Sequence, residues 1–93
     1  MAIFAVIAQA GPDEDRLAAA IRQHFGQVNY QLDGDRGWLV AARATAKEVS
    51  DTLGITDGTT GPALVMEIAS YFGKANPNIW TWIKNNWEAG KNA

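Results

Sequence analysis

A chain of 93 residues with no cysteine, 47% hydrophobic and 19% charged residues and a formal charge of −2 rules out several classes before any motif is read. It supports one domain, residues 1–93, whose core is just large enough to stand without disulfides or a thiolate-bound metal. No apolar run approaches the roughly 20 residues of a membrane helix, and the eight Lys and Arg are scattered rather than gathered into a basic stripe, which argues against a nucleic-acid partner. The apolar start of the chain has no basic segment ahead of it, as a secretion signal would. A reducing cytoplasm is therefore the expected compartment.

In chain order, Ile3, Phe4, Ala5, Val6, Ile7 and Ala8 form a short apolar run ended by Gly11 and Pro12, and predict a central strand. Pro12, Asp13, Glu14 and Asp15 open a helix, since proline fits a first turn and carboxylates complement the helix dipole. Leu17, Ile21 and Phe25 supply its apolar stripe, and Gly26 is expected to end it in a left-handed cap. Val28, Tyr30 and Leu32 alternate with polar residues, which predicts an edge strand with one wet face. The turn at 33–37 joins it to the apolar strand at 38–43 as a hairpin.

Thr45 and Glu48 are spaced as a capping box for a second helix, with Val49 and Leu53 inward, Gly54 as its left-handed stop and Ile55 as the apolar contact beyond. A polar loop at 56–61 leads to a fourth strand, expected over 63–71. Asn76 and Pro77 then cap and open a last helix over 77–89, ended by Gly90. That helix holds Trp80, Trp82 and Trp87, three of the four tryptophans. At 3.6 residues per turn, Ile79, Trp80, Ile83 and Trp87 share a stripe, and Trp82 falls beside it.

The order strand, helix, strand, strand, helix, strand predicts an α+β domain of the split βαβ type, βαββαβ. Right-handed crossovers give a four-stranded antiparallel sheet in the order 4-1-3-2, with both inner helices on one face and the aromatic helix added at the C-terminus. In this element order, residues 2–71 resemble the ferredoxin-like superfold, a plan shared by Cas2-like proteins, related small antitoxins and dimeric α/β-barrel monooxygenases of bacteria. The resemblance implies the fold and, for several such groups, sheet-to-sheet dimers. Cas2-like nucleases carry an acidic residue at the end of the first strand. Here Ala8, Gln9 and Ala10 stand there, so the metal-dependent nuclease reading has no counterpart. The run 70–77 with the Trp-rich helix looks like a family signature, with no activity attached.

Few residues offer chemistry. His24 is the only histidine, placed where a cation would complement the end of a helix; with no cysteine beside it, it makes no zinc site. Asp13, Glu14 and Asp15 point in different directions on a helix, so capping explains them better than a hard cation does. The loop at 56–61 lacks the lysine and the strand-before, helix-after context of a phosphate loop. Gly73, Lys74 and Asn76, at the start of the last helix, are the candidate anion or ligand site. No catalytic residue, metal or cofactor is expected.

Glu67 is a carboxylate within an apolar strand. If Leu64, Met66 and Ile68 face the inner helices, Glu67 and Tyr71 lie on the far face of the sheet, which Arg43 could share; there Glu67 is either simply wet on an open sheet or paired where a second copy packs. Trp82 is the candidate contact for a protein partner, since tryptophan is prominent at interface hot spots. The expected function is thus a non-catalytic protein-interaction or regulatory domain, homodimeric through its sheet face, with interface residues Trp82, Glu67, Tyr71 and Arg43. The alternative is a small-ligand-binding protein or cofactor-free enzyme with a cleft between the sheet and the last helix. A dry contact there favours the first, and an apolar pocket with convergent polar groups the second.

Overall fold

The computed structural model describes residues 2–9, 14–32, 36–70, 72–73 and 77–91, with side chains omitted at 14–15 and 88–91. Seven elements follow one another: β1 (Ala2–Ala8), α1 (Glu14–His24), β2 (Asn29–Gln31), β3 (Gly37–Ala42), α2 (Ala46–Leu53), β4 (Ala63–Glu67) and α3 (Pro77–Lys91). The strands form one antiparallel sheet in the order β2-β3-β1-β4, which is the expected 4-1-3-2 taken from the other edge. The most apolar strands, β1 and β3, hold the centre.

Side chains alternate across a sheet, so each strand contributes to two faces. On the first face Phe4, Val6, Trp38 and Val40 are buried under Leu17 and Ile21 of α1 and Val49 and Leu53 of α2. On the second face Ile3, Leu39 and Ala41 are buried under Ile83 of α3. The protein is therefore a three-layer stack of helix pair, sheet and single helix. The second face, expected to receive another copy of the chain, carries α3 instead.

α2 folds as its sequence dictates. The Glu48 N–H donates to Thr45 Oγ1 (3.1 Å), the Thr45 N–H donates to Glu48 Oε1 (2.8 Å), and Gly54 ends the helix at φ 76°. Thr60 Oγ1 then donates to the carbonyl of Leu53 (2.9 Å), one of the acceptors a helix end leaves without an internal partner.

Three local expectations are corrected. Gly26 is not among the glycines with positive φ; it is required because a Cβ there would lie 2.8 Å from the carbonyl oxygen of Arg22. β4 ends at Glu67 rather than near 71, although the Ile68 N–H still donates to the Ile3 carbonyl (2.8 Å). α3 runs through Gly90 to Lys91, because one glycine costs a helix only about 1 kcal/mol. Gly11, Pro12, Asp13, the turn residues 33–35, Tyr71, Lys74 and Asn76 lie outside the described residues.

Candidate functional site

Register decides what α3 covers. On the second face the strands align in three rows: Val28, Ala41, Ile3 and Ile68; Tyr30, Leu39, Ala5 and Met66; Leu32, Gly37, Ile7 and Leu64. The cluster beneath α3 takes in the first row and Tyr30, Leu39 and Ala5 of the second, with Leu32 at its margin. Ile83 is 4% exposed there, between Ile3, Leu39 and Ala41, with Ile79, Trp80, Trp82 and Trp87 partly buried around it. Trp82 packs on Tyr30 of β2, ring centroids 6.1 Å apart and planes tilted by 54°. The aromatic residue placed beside the stripe thus joins it, widening the apolar arc of α3 to about 160° at 100° per residue.

The β4 end of the same face is left open. Leu64 is 53% exposed and Met66 47%, beside half-buried Ala5 and Ile7 of β1, and Phe72, just beyond the strand, is fully exposed. These three are the large apolar side chains that stand in water among the described residues. Leu64 and Met66 lie on an edge strand whose outer side pairs with no other described strand.

The face assignment of β4 also reverses the expected one. Ala63 and Val65 pack into the core under α1 and α2, whereas Ile68 packs beneath α3 and Leu64 and Met66 share its face. Glu67, paired across the ladder with Phe4, therefore belongs to the first face, and it is exposed. Arg43, one residue beyond β3, is exposed as well. Of the interface set, the structure thus brings Trp82 against Tyr30 and sets Glu67 on the first face rather than the far one. Gly73 has an open φ of 151° with nothing within 4 Å of where a Cβ would stand; its companions Lys74 and Asn76 fall outside the described residues.

Apart from Glu67 of β4, a set of charged groups sits on α2 and the loop after it. Lys47 Nζ lies 2.9 Å from Asp51 Oδ2, one turn on along α2. The Thr56 hydroxyl and then Lys47 hold the Asp51 carboxyl below its ordinary value, and Asp51 raises Lys47 in return. Thr56 in turn shares a 2.7 Å hydroxyl contact with Ser50. Asp57 is lowered by the backbone N–H of Thr59, which it accepts at 2.9 Å. This chain of contacts closes the 56–61 loop onto the end of α2, and capping accounts for it. His24 is exposed in the last turn of α1. No described helix is long and apolar enough to cross a membrane.

Sequence reasoning missed Leu64 and Met66 as surface residues. The available signal was that β4 is apolar at both parities, Ala63 and Val65 on one and Leu64 and Met66 on the other, while it carries its single charge at its very end. Comparison with known proteins finds no family model, no curated protein and no solved structure that matches this chain.

Proposed function

We propose that this chain is a small, non-catalytic protein-interaction or regulatory domain of the cytoplasm, ferredoxin-like in plan with an added C-terminal helix, and that it binds a protein through the β4 end of its α3 face. The observation that carries this reading is the two water-exposed apolar side chains, Leu64 and Met66, on an edge strand whose outer side pairs with no other described strand, with Phe72 following. Exposing them costs the monomer on the order of 1 kcal/mol or more per side chain relative to burial, at about 25 cal/mol per Å². Contiguous apolar surface of this kind marks interaction sites. Trp82, half-buried on Tyr30 of β2, lies toward the opposite edge of that face and leaves the β4 end uncovered.

The contact between α3 and the sheet favours this over the ligand-cleft reading. Its centre is filled by Ile3, Leu39, Ala41 and Ile83, all nearly inaccessible to water, rather than by converging polar groups around a cavity.

A photoreactive amino acid at position 64, set against one at exposed Gln23 of α1, tests the proposal in native extract. Discrete protein adducts from position 64 and none from position 23 are expected. Equal or absent labelling at the two positions, with both chains folded, would end it.

A further inference from the structure

The outward groups of β4 can be assigned one by one. The Gln9 N–H donates to the Pro62 carbonyl at 2.9 Å, and the Ile68 N–H donates to the Ile3 carbonyl at 2.8 Å. Together with the register, in which Ile7 faces Leu64 and Ala5 faces Met66, these fix the ladder. Hydrogen-bonded pairs recur at every second residue of an antiparallel ladder, so Leu64 and Met66 turn their N–H and C=O groups toward β1. Ala63, Val65 and Glu67 turn theirs away from the sheet.

The two edges of the sheet differ in how they are guarded. β2 is three residues long and polar on its first face, with Asn29 tied to the Phe25 carbonyl (2.6 Å). Short, polar edges discourage pairing with another chain. β4 is five residues long, with no proline, lysine or inward charge among its first four, Ala63, Leu64, Val65 and Met66. Its charge stands at the very end, at Glu67, and its outer side pairs with no other described strand.

Resting on the interaction reading above, we infer that the partner is a second copy of this chain, joined by antiparallel pairing of β4 with β4 about a two-fold axis through Val65. In that register Val65 faces the partner's Val65, and Ala63 faces the partner's Glu67. Every outward N–H and C=O of the strand is used, in about six inter-chain hydrogen bonds. Leu64 then stands directly opposite the partner's Met66 in a non-hydrogen-bonded pair, where opposed side chains lie closest. An axis at residue 64 or 66 leaves one of these side chains without its apolar partner across the strand and strands outward groups as well. The charges fit too. Glu67 is the single acidic or basic residue of β4, and this register holds the two copies about 13 Å apart, beyond the screening length of about 8 Å at physiological salt.

The pairing closes on itself. A two-fold axis uses the same edge of both copies, so the resulting eight-stranded sheet ends in two β2 strands and grows no further. A contact of five residues a side is small beside the roughly 1,200 Å² of stable complexes. The dimer is therefore reversible, with a dissociation constant between micromolar and millimolar.

The test uses the whole chain. Sedimentation velocity over a concentration series should carry the mass from 10.0 kDa toward twice that value. Leu64→Lys/Met66→Lys sets lysines against each other across the axis and should hold the chain at monomer mass at every concentration. Both side chains are exposed, so its circular dichroism should match the parent's. Because the chain has no cysteine, disulfides report the register. A mixture of Leu64→Cys and Met66→Cys chains in a glutathione redox buffer should give linked dimers at least several-fold above either variant alone. Equal linking by all three samples would overturn the register, and a parent chain that stays monomeric at the highest concentration would overturn the dimer. In that event, discrete heterologous adducts from position 64 would leave the interaction reading standing with a foreign partner. No adducts at all would remove both.

Discussion

The two faces of the sheet are built by different means. The first is a continuous packed layer: Leu17, Ile21, Val49 and Leu53 come down from two helices onto Phe4, Val6, Trp38 and Val40, and all are almost wholly buried. The second has four buried residues, Ile3, Leu39, Ala41 and Ile83, ringed by half-wet aromatics. Two helices, α1 and α2, share the first face, whereas α3 lies alone on the second among the described helices. A single helix cannot span a four-stranded sheet, and indoles of up to about 250 Å² each widen its reach over β1, β3 and β2. The coverage gives out at β4, which is where Leu64 and Met66 stand in water.

If the first face carries most of the stability, Phe4→Ala should be the most damaging substitution of this comparison. Phe4 is 0% exposed at the centre of that core, so its loss should cost about 3–5 kcal/mol in urea denaturation, a large fraction of what a small domain has. A cost below about 1 kcal/mol would show that the packed layer matters less than its burial implies. Ile83→Ala probes the other face. It should cost about 2–3 kcal/mol, the low end for an aliphatic truncation, since the half-wet aromatics around it are free to close over the gap. Amide exchange should show α3 losing protection before β1 and β3 do, because a face with less buried area opens at lower free energy. Simultaneous loss across all three elements would mean that both faces melt as one unit.

Elements whose sequence holds local chemistry were legible. Thr45, Glu48, Gly54 and Ile55 specify α2 from cap to cap, and the alternation of Val28, Tyr30 and Leu32 specifies an edge strand before any partner is known. The faces of β4 were not. Apolar side chains occupy both parities there, so alternation carries no sign, and size alone points the wrong way: the smaller Ala63 and Val65 face the first core and the larger Leu64 and Met66 face outward. Once that sign is reversed, Glu67 moves to the first face. Gly26 misled for a related reason, because a stop glycine serves either a left-handed φ or a close backbone approach, and only coordinates separate the two. Trp82 was misplaced because a stripe of fixed width assumes a narrow groove, whereas α3 rests on a broad sheet with Tyr30 at its margin.

A finer probe of the second face is the pair just named. A double-mutant cycle on Tyr30→Leu and Trp82→Leu should return a coupling of about 0.5–1.5 kcal/mol, the usual worth of an aromatic pair beyond the area it buries. Zero coupling would make the Trp82 indole a bystander of the α3 seat, free to serve a partner instead.

The smallest expected effect separates the faces by pH. Asp51 and Asp57 are both held below the ordinary carboxylate value of 3.8, Asp51 first by Thr56 and then by Lys47, Asp57 by the Thr59 N–H. A carboxylate whose folded pKa is depressed adds stability that is fully present above 3.8 and is lost as the pH falls through the lower folded value. Lys47 works in the opposite sense: raised above 10.5, it contributes below that pH and loses its contribution as the pH climbs past its folded value. These contacts lie within α2 and the 56–61 loop, and hold that loop to the end of the helix. α3 has no acidic residue in its first turn and so no such anchor there. Acidification from pH 5 to pH 3 should therefore loosen amides at 50–60 while those of α3 hold, and strong salt should shrink the effect, since both carboxylates are solvent-exposed. The opposite order, with α3 released first in acid, would mean that its seat depends on charge, whereas Ile83 and the indoles around it predict a contact indifferent to protons.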